Sequence, residues 1–456
     1  MQQIRKNLFL LAPLIVYWVL ISPFLGSIPY LDGNIDFVKT SDLYTGGIQR
    51  LFANWRSIHP PLKELLTILF YKFFGVTSFS YTLVGMIFGS LGIIYFYLLC
   101  KKLIGNSVAK TATFLLAACP LYLSIGIFAL TDFLLTISIL ISLYYYTEKK
   151  FLNYSIFASM AFLAKETGLI LAFSVLIVEI ISAIKKRYIK SLLSILPFFT
   201  AVIWSLLLKL NQKPLWSDWN FSETADKGSL YTIFYNLVSF NFLNKYAYQN
   251  WLHLFVLNFN WVFWILTLLG ILLFLRKNKL TIFKLTSGLK TFYVIFIFNF
   301  VYIISVLSFQ TYTIPRYVLP VIPFLLIGTS FCLETITKKS SALKIYLSVP
   351  LVIFVVIRLF MSADPISSLL WGKTNILGEN MYSIHRHLAG NDGITYNMQY
   401  AQIVKKRTEK ILLADKGTGI VLSDECHWIF PDPNNDNKTI EILKIDLNVK
   451  KPCSKP

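Results

Sequence analysis

Three aspartates, Asp32, Asp36 and Asp42, fall within eleven residues, and a short way on the chain reads His59-Pro60-Pro61-Leu62-Lys63-Glu64. An ionised carboxylate beside a hydroxyl is a general base, and partial removal from water tunes it for that work. Asp32-Gly33 is a turn-forming dipeptide, so Asp32 reads first as a turn former or cap and second as a supporting or cation-binding acid. Asp42 reads as the catalytic base, with Asp36 as an assisting acid. Pro60 and Pro61 fix their own backbone and force His59 into an extended conformation. The corner so made holds the imidazole as a supporting catalytic group, or serves structure alone.

Three further polar spots interrupt apolar surroundings. They are Asp132 in Leu130-Thr131-Asp132-Phe133, Lys165-Glu166 in Ala164-Lys165-Glu166-Thr167-Gly168, and Arg316 between Pro315 and Pro320. Ionisable groups at membrane depth are costly and by default suggest a site, the alternative being side chains that snorkel to the interface. Lys165 and Arg316 are candidate ligands for a phosphate, and Asp132 and Glu166 are candidate orienting or cation-binding groups. A divalent cation is a further candidate ligand of these acids, although no Cys/His cluster has zinc spacing.

The elements that must position these groups are set by composition. Of 456 residues, 55% are hydrophobic and 14% charged, with a mean hydropathy of +0.60, whereas soluble domains carry roughly 25% charge. A water-soluble enzyme and a disordered chain are both excluded. Eleven apolar runs of near-membrane length lie near 8–28, 79–100, 111–128, 132–147, 151–164, 167–184, 189–210, 253–275, 291–309, 315–337 and 342–361. The first follows Arg5 and Lys6 but is too long for a secretory signal, and it reads as an uncleaved anchor.

A formal charge of +20 would suggest nucleic acid in a soluble protein. Placing the N-terminus in the cytoplasm puts nineteen Lys and Arg against three acids on the inner side, and eleven against nine in the outer loops up to residue 357. Most of the excess is therefore the charge bias of membrane topology, and no nucleic-acid partner is expected. Eleven crossings divide the chain into a membrane part, 1–361, and an extracytoplasmic region, 362–456, of α/β or irregular structure, where Cys426 and Cys453 are candidates for pairing. Two outer loops are long enough to be functional, 29–78 and 211–252. The first is aromatic enough to form helices lying on the membrane surface.

The stretch Phe37-Val38-Lys39-Thr40-Ser41-Asp42-Leu43-Tyr44-Thr45-Gly46-Gly47 resembles the first-loop motif of the protein O-mannosyltransferases, and His59-Pro60-Pro61-Leu62 resembles the motif that closes that loop. Lys165-x-x-Gly168-Leu169 is similar to a later motif, and Arg316-Tyr317 with Pro320 to a recurring segment of bacterial relatives. The resemblance covers about residues 1–360 and implies the GT-C class of polytopic, all-helical membrane glycosyltransferases. That family carries an Asp-Glu pair where this chain has Ser41 and Asp42, so only Asp42 inherits the acidic role. The 211–252 loop is too short for the sugar-binding domain of eukaryotic members, which points to the bacterial or archaeal type.

The resemblance implies a plasma-membrane enzyme that takes a polyprenyl-phosphate-linked sugar, mannose or a similar hexose or pentose, as donor. Transfer would go, with inversion, to a hydroxyl of an acceptor protein, lipid or glycan outside the cytoplasm. The sequence agrees in having no Asp-x-Asp pair, P-loop or dinucleotide fingerprint for a soluble nucleotide donor. Two rivals remain: a transporter or flippase of the same topology, and a non-catalytic binder of polyprenyl phosphate. Transporters place ionisable residues and helix breaks near mid-membrane, whereas this chain puts its acids in outer loops.

Overall fold

The computed structural model describes residues 8–27, 32–49, 51, 59–127, 129–186, 192–210, 235, 238–240, 259–278, 290–307, 315–338 and 341–360, with strand segments between 375 and 443. The first half of the chain forms α1 (Leu11–Ile21), α2 (Asp32–Gly46), α3 (Leu62–Phe74), α4 (Ser78–Leu103), α5 (Asn106–Ala117), α6 (Pro120–Ile127), α7 (Thr131–Thr147), α8 (Phe151–Ala164), α9 (Leu169–Lys186) and α10 (Leu196–Leu210). After the second long loop come α11 (Trp261–Asn278), α12 (Lys290–Leu307), α13 (Ile322–Thr337) and α14 (Ser341–Phe360). Each of the eleven apolar runs contains helix, the conformation that satisfies backbone hydrogen bonds within one segment. Two stretches among the described residues, Ser78–Leu103 and Glu166–Ile184, are long and apolar enough to cross a membrane unbroken, and α5 with α6 makes a third candidate bent by 52°. The other apolar helices are shorter.

Beyond residue 360 the described segments are strands. β1 (Asn375–Ile376) pairs antiparallel with β2 (Glu379–Asn380), and β3 (Ile420–Val421), β4 (His427–Asp432) and β5 (Asn435–Leu443) form an antiparallel sheet in that order. Cys100, Cys119 and Cys332 are buried free thiols, while Cys426 and Cys453 lie outside the described residues. The described residues of the first long loop are mainly helical, and Asp32-Gly33 stands at the start of α2, where the cap reading of Asp32 and not the turn reading would put it. The second loop lies almost wholly outside the described residues.

The bundle is apolar on its outside as well as in its core. Ile15, Val19, Ile184, Phe199, Ile203, Leu272 and Phe296 are all more than half exposed, a pattern that a lipid solvent tolerates and water does not. The polar side chains turn inward. Tyr17 of α1 donates its hydroxyl to the Gly85 carbonyl at 3.0 Å, and Tyr122 of α6 donates to the Gly89 carbonyl at 2.8 Å. Both rest on a small-residue face of α4, where a Cβ at Gly85 would stand 1.6 Å from the Gly126 oxygen and one at Gly89 1.9 Å from the Tyr17 hydroxyl. Small residues allow this approach, and the tyrosines satisfy carbonyls that the helix leaves accessible.

The same device joins α11 to α13. A Cβ at Gly270 would meet the Gly328 oxygen at 2.0 Å, and Thr267 beside it donates to the Leu325 carbonyl at 2.9 Å. On α9, buried Glu179 accepts from Lys290 at 3.0 Å and from the Tyr146 hydroxyl at 2.7 Å, tying together α7, α9 and α12. These ties hold the break between α8 and α9 in register with the start of α7, and that register builds the site.

Because the α4 to α6 contact has no room for a methyl group, Gly85→Ala is expected to destabilise the protein by about 1–3 kcal/mol, the usual cost of overpacking. Thermal unfolding in detergent should show a lowered midpoint, and a midpoint equal to that of the unsubstituted protein would mean that the two helices are not in contact at Gly126.

Candidate active site

Ala164 ends α8 and Leu169 starts α9. Between them Lys165 is extended, at φ −162° and ψ 143°, and Glu166–Gly168 make one tight turn. Gly168 folds that turn against α8, where a Cβ would come within 2.4 Å of the Ala161 carbonyl. The break turns Lys165, 6% exposed, toward Asp132, which is fully buried in the first turn of α7. A carboxylate there is favoured by the helix dipole.

Lys165 Nζ donates to Asp132 Oδ1 at 2.7 Å, and Arg316 Nε, carried by the turn Pro315–Val318 ahead of α13, donates to Oδ2 at 3.2 Å. The Tyr317 ring lies 3.6 Å from the Lys165 ammonium and 5.5 Å from the Arg316 guanidinium carbon, distances of cation–π attraction. One carboxylate thus serves two cations. Burial pulls the Lys165 ammonium below its ordinary pKa; Asp132 opposes that shift and Arg316 adds to it. An anion entering this cluster would relieve the repulsion.

A second cluster forms where α2, α3 and α4 meet. Lys63, in the first turn of α3 and fully buried, donates to Asp36 Oδ2 at 2.5 Å and to the Tyr81 hydroxyl at 2.7 Å. Phe37, Tyr71 and Tyr81 pack edge to face around the pair. Burial alone would raise the Asp36 carboxyl; the adjacent Lys63, with Lys39, outweighs it and holds the group below its ordinary pKa. Glu64, the next residue, is 2% exposed, and its Oε2 has no hydrogen-bond partner among the described residues. Burial, reinforced by the Asp36 charge, pushes Glu64 up to about 7.

His59 joins the two clusters. Its Nδ1 lies 3.0 Å from Glu166 Oε2, and the imidazole is within electrostatic reach of both Asp36 and Asp132. The corner made by Pro60 and Pro61 therefore links the first loop to the Lys165 break. Of the residues singled out in the sequence, Asp36, His59, Asp132, Lys165, Glu166 and Arg316 come together here. Asp32 and Asp42 lie on α2, but their side chains are outside the described residues. Asp42 follows Asp36 by six positions, about 240° of helical rotation.

No group of three or more His, Cys, Asp or Glu able to hold a metal occurs among the described residues. Asp132 and Glu166 instead face protein cations or the His59 imidazole. Sequence reasoning gave Lys63, Glu64 and Tyr81 no role. The signal available was the cation and acid directly after Pro60-Pro61, at the point where a helix must begin.

A fold of apolar helices around a buried, cation-rich cluster at a helix break defines a class of polytopic membrane protein. Two solved structures share the fold: ArnT from Cupriavidus metallidurans bound to undecaprenyl phosphate, and the archaeal oligosaccharyltransferase AglB from Archaeoglobus fulgidus in complex with an inhibitory peptide and a dolichol-phosphate. ArnT is 16% identical, with 88% of this chain and 75% of that one covered and a TM-score of 0.52. AglB is 12% identical, with 88% and 56% covered and a TM-score of 0.51, so the chain spans little more than half of its length. Residues 58–222 match the family described as dolichyl-phosphate-mannose-protein mannosyltransferase, a segment holding His59, Asp132, Lys165 and Glu166. No curated protein sequence matches the chain. The chain thus resembles the GT-C membrane glycosyltransferases in both motif and fold.

Glu64 gives the cluster a pH signature. Its carboxyl is raised from an ordinary 4.5 to about 7 on folding, so between those values the folded protein holds more protons than the unfolded chain. The stability it contributes is fully present below pH 4.5 and lost as pH rises through about 7. Glu64→Gln should remove this dependence, and thermal unfolding at pH 5 and pH 8 should show the gap between the two midpoints narrowing. An unchanged gap would show that Glu64 is already ionised at pH 5.

Proposed function

We propose that the protein transfers a sugar from a polyprenyl-phosphate-linked donor to an acceptor hydroxyl on the outer side of the plasma membrane. The observation that carries this reading is the sharing of one buried carboxylate, Asp132, between Lys165 and Arg316. Two cations held together in a site of low dielectric suit a phosphate whose charge grows as it leaves. The donor is a phosphodiester with one negative charge. As the acceptor oxygen bonds to the anomeric carbon, the bond from that carbon to the phosphate oxygen breaks, and polyprenyl phosphate departs carrying the electron pair.

The acceptor proton goes to a carboxylate. Asp36 is held low by Lys63, and Asp132 is committed to two cations, which leaves each a weak base. Asp42, at the acidic position of the first-loop motif, is assigned as the general base. Attack from the side opposite the phosphate inverts the anomeric carbon. His59 and Glu166 orient the loop against the Lys165 break, and Asp32 has a supporting place.

The sugar is a hexose such as mannose or a similar pentose, and the acceptor is a protein, lipid or glycan. In this reading the membrane part, 1–361, makes eleven crossings with the N-terminus inside, and 362–456 lies outside.

Arg316→Ala and Lys165→Ala are each expected to weaken polyprenyl-phosphate binding by about 10- to 100-fold, the range for losing a hydrogen bond to a charged group. Equilibrium binding of the labelled lipid to detergent-purified protein checks this, and undiminished affinity in both variants would remove the phosphate from this cluster.

Asp42→Asn should bind the lipid donor normally and abolish transfer of labelled sugar to acceptors in membranes. Retained transfer in Asp42→Asn, with loss in Asp36→Asn, would move the base to Asp36. A non-catalytic binder would hold the lipid and show no transfer with any acceptor.

A further inference from the structure

Two hydroxyls beside the cation cluster have no task in the mechanism above. Tyr302 on α12 is 1% exposed, and neither its hydroxyl nor the buried Thr167 Oγ1 makes a hydrogen bond among the described residues. The two hydroxyls stand close enough to interact with each other, and the Tyr302 hydroxyl lies within electrostatic reach of both Asp132 and Tyr317. Thr167 sits in the tight turn directly after Lys165. Both hydroxyls therefore border the cluster of Lys165, Arg316 and Asp132.

Neither group is free to turn to water. The Tyr302 ring packs on Phe298 at 5.3 Å between centroids, and Phe298 stands edge-on to Phe324 at 5.9 Å, so only the phenolic hydrogen retains rotational freedom. Gly168 presses the Thr167 turn against α8. A buried polar group without a partner is costly and rare, and calls for a specific explanation. Two such groups side by side, next to two cations that share one carboxylate, have a common one. A tetrahedral anion offers several acceptor oxygens at once, which cations and hydroxyl donors from different helices can reach together.

We propose that the Tyr302 and Thr167 hydroxyls donate hydrogen bonds to the same phosphate that Lys165 and Arg316 hold, forming with them a four-donor cradle. The proposal rests on the phosphate reading above and extends it to α12. The cations supply attraction from a distance. The neutral hydroxyls act only at contact, so they fix how the phosphate is turned and strengthen as its charge rises on departure.

The test uses the full chain purified in detergent, titrated with a polyprenyl phosphate, with the corresponding uncharged polyprenol, and with inorganic phosphate as competitor. Tyr302→Phe keeps the ring packing and removes one donor, and Thr167→Val does the same for the second. Each is expected to weaken polyprenyl-phosphate binding about tenfold and to leave polyprenol binding unchanged. If inorganic phosphate displaces the lipid, its potency should fall in the same variants.

The ligand-free thermal midpoint should hold or rise in both variants, because an orphaned hydroxyl has been removed. Full affinity for polyprenyl phosphate in Tyr302→Phe and Thr167→Val, with Arg316→Ala still impaired, overturns the cradle and leaves the phosphate reading standing. Equal affinity of the unsubstituted protein for polyprenyl phosphate and polyprenol overturns both. A lowered midpoint with unaltered affinity assigns the hydroxyls to structure alone.

Discussion

The pairing of Asp132 with both Lys165 and Arg316 is the interaction on which the arrangement depends. A lone charge cannot be held in apolar surroundings, because desolvation costs more than the fold can supply. Each member is therefore stable only while the others are in place. They come from three separate parts of the chain: the start of α7, the break between α8 and α9, and the turn before α13. The electrostatic demand of one carboxylate thereby fixes the mutual positions of elements nearly two hundred residues apart. It also gathers two cations, Lys165 and Arg316, on a single acid at the break between α8 and α9.

The rest of the bundle makes that convergence reproducible. Where α4 passes α6, the absence of side chains at Gly85 and Gly126 sets the spacing, and the hydroxyls of Tyr17 and Tyr122 set the register. Where α11 passes α13, Gly270 and Gly328 do the same beside Thr267. Lipid-facing packing has no hydrophobic drive of its own, so close contact between small residues and internal hydrogen bonds must supply the specificity. Away from the Asp132 cluster, Glu179 collects Lys290 and Tyr146 and ties α9 to α7 and α12. The Lys165 break is therefore anchored from α9 as well as from α8.

How much of this could be read from the residues depends on whether a signal is local. Lys165, Arg316 and Asp132 stand out because charges bordering apolar runs are expensive whatever they touch, and His59 because two prolines restrict it. The helical character of the runs followed from their length and apolarity. Lys63 gave no such warning, since a lysine in a long outer loop ordinarily meets water. Its burial follows from a contact with Asp36 twenty-seven positions earlier and with Tyr81 on the next helix. Asp32-Gly33 could have marked a turn or a helix cap; the segment enters α2 at that point and buries Phe37, Thr40, Ser41 and Leu43 along it, which a dipeptide preference alone does not decide. Tyr302 lies in a phenylalanine-rich run where one hydroxyl among many rings has nothing to mark it, and only the folded neighbourhood of Thr167 and Asp132 distinguishes it.

The two clusters meet at the contact of His59 with Glu166, and they differ in how their acids are held. On one side of the His59 to Glu166 contact, two cations meet a single carboxylate. On the other, Lys63 meets Asp36 with Glu64 close by, a carboxyl poised near neutrality beside an ion pair already satisfied. The proline corner holds the imidazole between the two clusters, so the link from the first loop to the Lys165 break is built into the backbone at His59.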